Sequence, residues 1–168
     1  MGAFTINADQ IVKQLLLQPH HLKHLQTLVP DCFDGDVLDQ VRYRKRFFSD
    51  QTIQQAVEAW IHPIVRTKIM SLLEMNRDQS PYQVIELPIV KPDTLVCDRI
   101  CYVDSDTDLA RKRLLKRWGE GWYSQVISSS QDWTQLQYHD KIINNGDDET
   151  LRSEVMKLNN FYRNYHFK

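Results

Sequence analysis

Ser80-Pro81 opens onto YQVIELPIV, Tyr82 to Val90, a run nearly all apolar or β-branched and about the length of a buried parallel strand. A strand covered on both faces needs helices on either side, and the flanking sequence supplies them. Upstream, Leu38 to Met75 is rich in helix formers, with Ser49-Asp50 as a capping signal and Pro63 as a boundary or kink, which predicts two or three helices. Earlier still, AFTIN (Ala3 to Asn7) favours a strand, and Ile11, Val12, Leu15 and Leu16 follow at helical spacing with Asp9 near the helix N-cap. Downstream, RICYVD (Arg99 to Asp104) predicts another strand, LARKRLLKRW a helix, and KIIN (Lys141 to Asn144) a further strand before Gly146. The last helix is predicted from about Asp148 to Tyr165, with Leu151, Val155, Leu158 and Tyr162 on one face. Strands alternating with helices indicate an α/β domain with a mostly parallel sheet.

Composition narrows the function classes. The 168 residues, 42% hydrophobic, suffice for one globular domain with a real core. Lys plus Arg number 21 against 22 Asp plus Glu, so no net charge draws the chain to nucleic acid or to an anionic membrane. The 3 cysteines, Cys32, Cys97 and Cys101, contain no CxxC pair, which indicates neither a disulfide framework nor a zinc site and favours a reducing compartment. The N-terminus has no basic stretch leading into an apolar run, and no segment approaches the roughly 20 apolar residues of a membrane span, so a cytoplasmic protein without direct membrane insertion is expected. With only 5 glycines, the chain is poorly supplied for a loop that cradles phosphate.

The order of segments is similar to that of dephospho-CoA kinases, from shortly after that family's first helix to its C-terminus. The family's V-D-A-D motif resembles Ile6-Asn7-Ala8-Asp9, which keeps the second acid. Its L-x-R-x-x-L-R-x-x-V-F segment resembles Leu38 to Phe48, with Arg44 and Arg46 present and Gln40 where an Arg is expected. L-H-P-x-I-R resembles Ile61-His62-Pro63-Ile64-Val65-Arg66, and V-V-P-L-L resembles Ile85-Glu86-Leu87-Pro88-Ile89-Val90 without the acid that follows in the family. The next family strand resembles Cys97 to Asp104, the start of the lid resembles Arg113 and Arg117 before Trp118-Gly119, and A-D-x-V-I-x-N-x-G resembles His139 to Gly146. The resemblance implies a P-loop-kinase-like three-layer domain over residues 1–168, with a helical insertion on the CoA side at about 38–78 and a lid-like region at about 111–135.

The resemblance also implies roles. Asp9 would take the proton from the ribose 3′-hydroxyl of dephospho-CoA, Arg44, His62 and Arg66 would bind that substrate, and Arg113 and Arg117 would clamp nucleotide from the lid. Each has a plainer reading: a helix cap for Asp9, a packed residue for His62, a solvated basic face for the arginines. The run Arg42 to Arg46 reads first as an exposed helix face, and HHxxH (His20, His21, His24) lacks an acidic or Cys partner, so no metal site is expected. Trp118, Trp122, Tyr123 and Trp133 put aromatic mass in the lid-like region, suited to core packing or to a protein contact.

Family members open with a strand, a G-x-x-x-x-G-K-[ST] loop and a helix, and no such run occurs here. Phosphoryl transfer depends on that loop for its backbone donors, its Lys and its Mg²⁺-holding hydroxyl. The absent strand is central in the family sheet, between the strands that resemble Tyr82–Pro88 and Arg99–Asp104. Its neighbours would stand about 9.6 Å apart, twice the usual spacing, unless they pair directly or a protein partner covers the slot. The expectation is a pseudoenzyme of dephospho-CoA kinase descent, a structural or adaptor subunit of a protein complex with no cofactor of its own. The alternatives are a truncated active dephospho-CoA kinase, which would use ATP and Mg²⁺ through an upstream loop, and a sensor that binds a CoA-type ligand.

Overall fold

The computed structural model describes residues 2–87, 97–119 and 137–165, with Trp118 given by its backbone. The described residues form an α/β protein in two compact units. One comprises residues 4–79 and 83–94, the other residues 1–3, 80–82 and 95–168.

The first unit begins with β1 (Phe4–Asn7), which runs parallel to β4 (Gln83–Glu86) in the register Phe4 to Gln83 through Asn7 to Glu86. Between them lie α1 (Ala8–Leu16), α2 (Pro19–Leu28), a 3-10 turn (Pro30–Cys32), a hairpin of β2 (Phe33–Asp34) with β3 (Val37–Leu38), α3 (Gln40–Ser49) and α4 (Gln51–Met75). The hairpin was not foreseen, although Asp34-Gly35 carries its signal: Gly35 turns the chain at φ 63°, a conformation that favours glycine. Asp50 caps α4 by accepting from the amides of Thr52 and Ile53, as the Ser49-Asp50 pair predicts. Pro63 is not a helix boundary: α4 continues through it. The cost of the missing amide and the ring clash is offset by the apolar stripe Val57, Ile61, Val65 and Ile69, which is buried on both sides of the proline.

Leu25 and Val29 are wholly shielded from solvent, and with Cys32, Phe33 and Val57 they form the centre of the core. Leu16, Leu22, Tyr43, Phe47, Ile53 and Trp60 pack around them. A second stretch of core runs from Ile6 through Ala8, Ile11 and Leu15 on β1 and α1.

The other unit is built on β5 (Cys101–Asp104) parallel to β6 (Asp140–Ile143), with α5 (Thr107–Trp118) and α6 (Asp148–Asn164). Aspartates start both helices: Asp106 accepts from the amides of Asp108 and Leu109, and Asp147 from those of Glu149 and Thr150. Of the predicted inner face of α6, Leu151, Leu158 and Tyr162 are half-buried, while Val155 is 46% exposed and belongs to the outer face. β4 has β1 as its ladder partner and β5 has β6, so each parallel ladder has two strands among the described residues. The predicted strands are thus present, the KIIN strand shifted by one residue and the others shorter, and Pro88 to Val90, with Trp122, Tyr123 and Trp133, lie outside the described residues.

Candidate functional site

The carboxyl ends of parallel strands are where α/β sheets bind ligands. In the first unit the ends of β1 and β4 carry Asn7 and Glu86, and together with Thr5, Ile6, Gln10 and Val84 they line an open cavity of about 260 Å³. Asn7, not Asp9, caps α1: its Oδ1 accepts from the Gln10 amide at 2.9 Å. Asp9 stands exposed in the first turn of α1, two residues past the cap, because Ala8 and Ile11 take the buried face of the helix. An acid in the first turn suits the helix dipole. The Asn7 Nδ2 donates to Glu86 Oε2 at 2.6 Å, a contact across 79 residues that sequence reading missed.

The three residues expected to bind substrate fall on two helices. Arg44 is exposed on α3, and His62 and Arg66 are exposed on α4, one turn apart and hence on one face. Arg42 and Arg46 on the same helix are committed to acids of the same unit: Arg42 to Asp34 and Asp39, Arg46 to Asp50 at 3.3 Å and to Asp31 at 3.7 Å. The Arg42 side-chain bonds to Asp34 and Asp39 hold its guanidinium pKa above the ordinary value. His20, His21 and His24 are helical: the His20 and His21 rings are tilted with centroids 3.9 Å apart, and the His24 ring lies tilted against Trp60 at 4.7 Å. Burial, then the charges of His20 and His24, lower the pKa of His21. Among the described residues no group of three or more His, Cys, Asp or Glu gathers to hold a metal ion.

In the second unit Arg113 and Arg117 lie one turn apart on α5. Arg113 is anchored to the loop after β6: Nη1 donates to the Asn144 carbonyl at 2.9 Å and Nη2 to Asn144 Oδ1 at 3.1 Å. The same loop is tied to the start of α5 by the Asp106 amide, which donates to Asn145 Oδ1 at 2.8 Å. It then turns at Gly146, φ 96°, where a Cβ would meet Arg113 Nη2 and Leu109 Cδ2 at 3.6 Å. Beneath it, Lys141 pairs with Asp104 at 2.8 Å, and that bond lowers the Asp104 pKa and raises that of Lys141. Arg99 makes a bidentate pair with Asp140, at 2.8 and 3.0 Å, and Tyr162 donates to the same carboxylate at 2.7 Å. The Arg99 bond, first, and that of Tyr162 lower the Asp140 pKa against the effect of burial.

Parallel ladders with helices between their strands make this an α/β protein, and its structural neighbours place it in the P-loop kinase fold. A solved structure from Thermus thermophilus, TT1252, shares that fold at a TM-score of 0.69 and 20% identity, over 94% of this chain and 83% of the other. A dephospho-CoA kinase structure from Campylobacter jejuni does so at 0.58 and 16%, with the same coverage. The chain belongs to the dephospho-CoA kinase family, whose sequence model matches residues 1–149. The dephospho-CoA kinase of Hydrogenovibrio crunogenus is 26% identical over 97% of this chain and 87% of the relative. That of Prochlorococcus marinus is 31% identical over 76% of this chain and 62% of the relative.

Proposed function

We propose that this chain takes part in the ATP-dependent phosphorylation of the ribose 3′-hydroxyl of dephospho-CoA. One observation carries the reading: the family pattern runs through residues 1–149 in order, including the stretch with Asp9. Asp9 is the general base, accepting the hydroxyl proton as the 3′-oxygen attacks the γ-phosphorus and the bond to ADP breaks. Arg44, His62 and Arg66 bind dephospho-CoA, and Arg113 and Arg117 bind nucleotide. Where substrate phosphates lie, arginine supplies a planar fork of donors and a charge that does not titrate. A cytoplasmic setting accords with three cysteines that are all unpaired, and no described helix is long and apolar enough to cross a membrane.

Transfer also needs donors and a lysine for the triphosphate, and the 168 residues contain no G-x-x-x-x-G-K-[ST] run. The test therefore uses two preparations: the 168-residue chain, and the protein expressed from its own locus with any in-frame sequence that adjoins Met1. The locus product is expected to convert dephospho-CoA to CoA with ATP and Mg²⁺, and Asp9→Asn to lower kcat by about 10²-fold or more. The 168-residue chain alone is expected to fall below the locus product by at least about 10²-fold. Absence of conversion by both preparations sinks the kinase reading. A stoichiometric protein partner recovered with an inactive chain then supports the structural or adaptor subunit, and calorimetric binding of CoA without turnover supports the sensor.

A further inference from the structure

We infer that Glu86 is a positioning residue for this reaction, acting through Asn7 on the helix that carries Asp9; the inference rests on the kinase reading above. Asn7 and Glu86 are the last residues of β1 and β4 and face each other in the ladder register. The Asn7 side-chain amide has two different ends, and both are in use. Its oxygen accepts from the Gln10 amide at 2.9 Å, and its nitrogen donates to Glu86 Oε2 at 2.6 Å. Turning the amide over would set its oxygen against the Glu86 carboxylate and aim its NH₂ group at the Gln10 N–H, so both bonds would become repulsive contacts. The carboxylate of β4 thereby dictates which end of Asn7 meets α1.

Asp9 is two residues past Asn7, in the first turn, so the direction of its carboxylate follows from where that turn begins. A charge-assisted bond between two strand ends is short and directional, and it fixes the start of the helix to the sheet instead of leaving it to the cap alone. The two partners are matched to each other. An aspartate at position 7, which the family motif has there, offers acceptors at both ends and in this chain would place carboxylate against carboxylate. Asn7 and Glu86 also line the cavity at the strand ends, so the same bond holds one wall of it in place.

The test is an exchange of the two groups, made in the locus product and assayed for 3′-phosphorylation. Glu86→Ala is expected to lower kcat about 10-fold with the KM for ATP within about twofold, since a base displaced by a fraction of an ångström loses attack geometry but not nucleotide binding. Asn7→Asp alone is expected to lose at least as much. The double variant Asn7→Asp with Glu86→Gln moves the amide donor to β4 and leaves an oxygen to accept from Gln10, and is expected to return kcat to within about threefold of wild type. Hydrogen exchange of the Gln10 amide is expected to accelerate about 10-fold in Glu86→Ala while the amides of Val65 to Ile69 keep their protection, which separates a loosened cap from an unfolded chain. Unchanged kcat in Glu86→Ala, or a double variant no better than Asn7→Asp, overturns the role of Glu86 and leaves the kinase reading standing. A wild-type protein that turns nothing over overturns both, even where Gln10 exchange responds.

Discussion

In the unit built on β1 and β4, Leu25, Val29 and Ile69 are closed off from water, and nine further hydrophobic side chains are buried. In the unit built on β5 and β6, none of the described side chains is buried. Polar bonds tie its strands and helices instead: Arg99 and Tyr162 to Asp140, Lys141 to Asp104, Arg113 to Asn144, and Glu154 to the Ile143 amide at 3.0 Å. The Arg99 guanidinium is also stacked over Phe161 and Tyr165 at 5.1 and 5.3 Å. Apolar contact is non-directional and tolerates small shifts, whereas a bidentate ion pair holds one geometry. The unit that carries Asp9 is therefore set by volume, and the unit that carries Arg113 by bonds that can be broken one at a time.

The contrast can be attacked from both sides. The largest effect is expected from Leu25→Ala or Ile69→Ala, each of which removes a shielded side chain and leaves a cavity, costing about 2–5 kcal/mol; urea unfolding followed by circular dichroism measures it. Pro63→Ala should act in the opposite direction, restoring an amide to the middle of α4 and stabilising by roughly 1–3 kcal/mol in the same titration. A loss would show that the proline ring packs productively.

The two pH responses sharpen the comparison. Asp140 has its folded pKa lowered, so its contribution is fully present above the unfolded value near 3.9 and disappears as pH falls through the lower folded value. Acid titration of the second unit, followed by near-ultraviolet circular dichroism, should show a loss confined below about pH 4 that Asp140→Asn removes, along with a lower melting temperature at pH 7. The smallest effect belongs to His21. Its folded pKa also lies below the unfolded one, so the neutral ring is favoured in the fold, and stability declines as pH falls from about 6.5 through the folded value. His21→Phe should flatten that decline, and a melting temperature independent of pH between 5 and 7 in the wild type would contradict it.

What the sequence made legible was local. The Asp50 cap, the β-favouring AFTIN run, KIIN and the last helix all announce themselves within a few residues, and each is present within one or two residues of its predicted limits. What it hid depended on distance or on competition. Asp9 and Asn7 are both competent caps, and with Ala8 buried as the first residue of the helix the cap falls to Asn7. Pro63 has a strong local preference that four buried residues of α4 override. The bonds from Asn7 to Glu86 and from Arg99 to Asp140 join positions 79 and 41 apart, beyond the reach of any periodicity. For the candidate site, motif order brought Asp9, His62, Arg66 and Arg113 into view, but not the bond between Asn7 and Glu86 or the one from Arg113 to Asn144.

The uneven distribution of shielded carbon also has a calorimetric signature. Unfolding raises heat capacity in proportion to the apolar surface newly hydrated and lowers it for polar surface. The region around β5 and β6 should open with a smaller increment per residue than the region around Leu25 and Ile69, and its free energy should vary less steeply with temperature. Chilling would then weaken the unit that holds Leu25 sooner than the unit that holds Arg99.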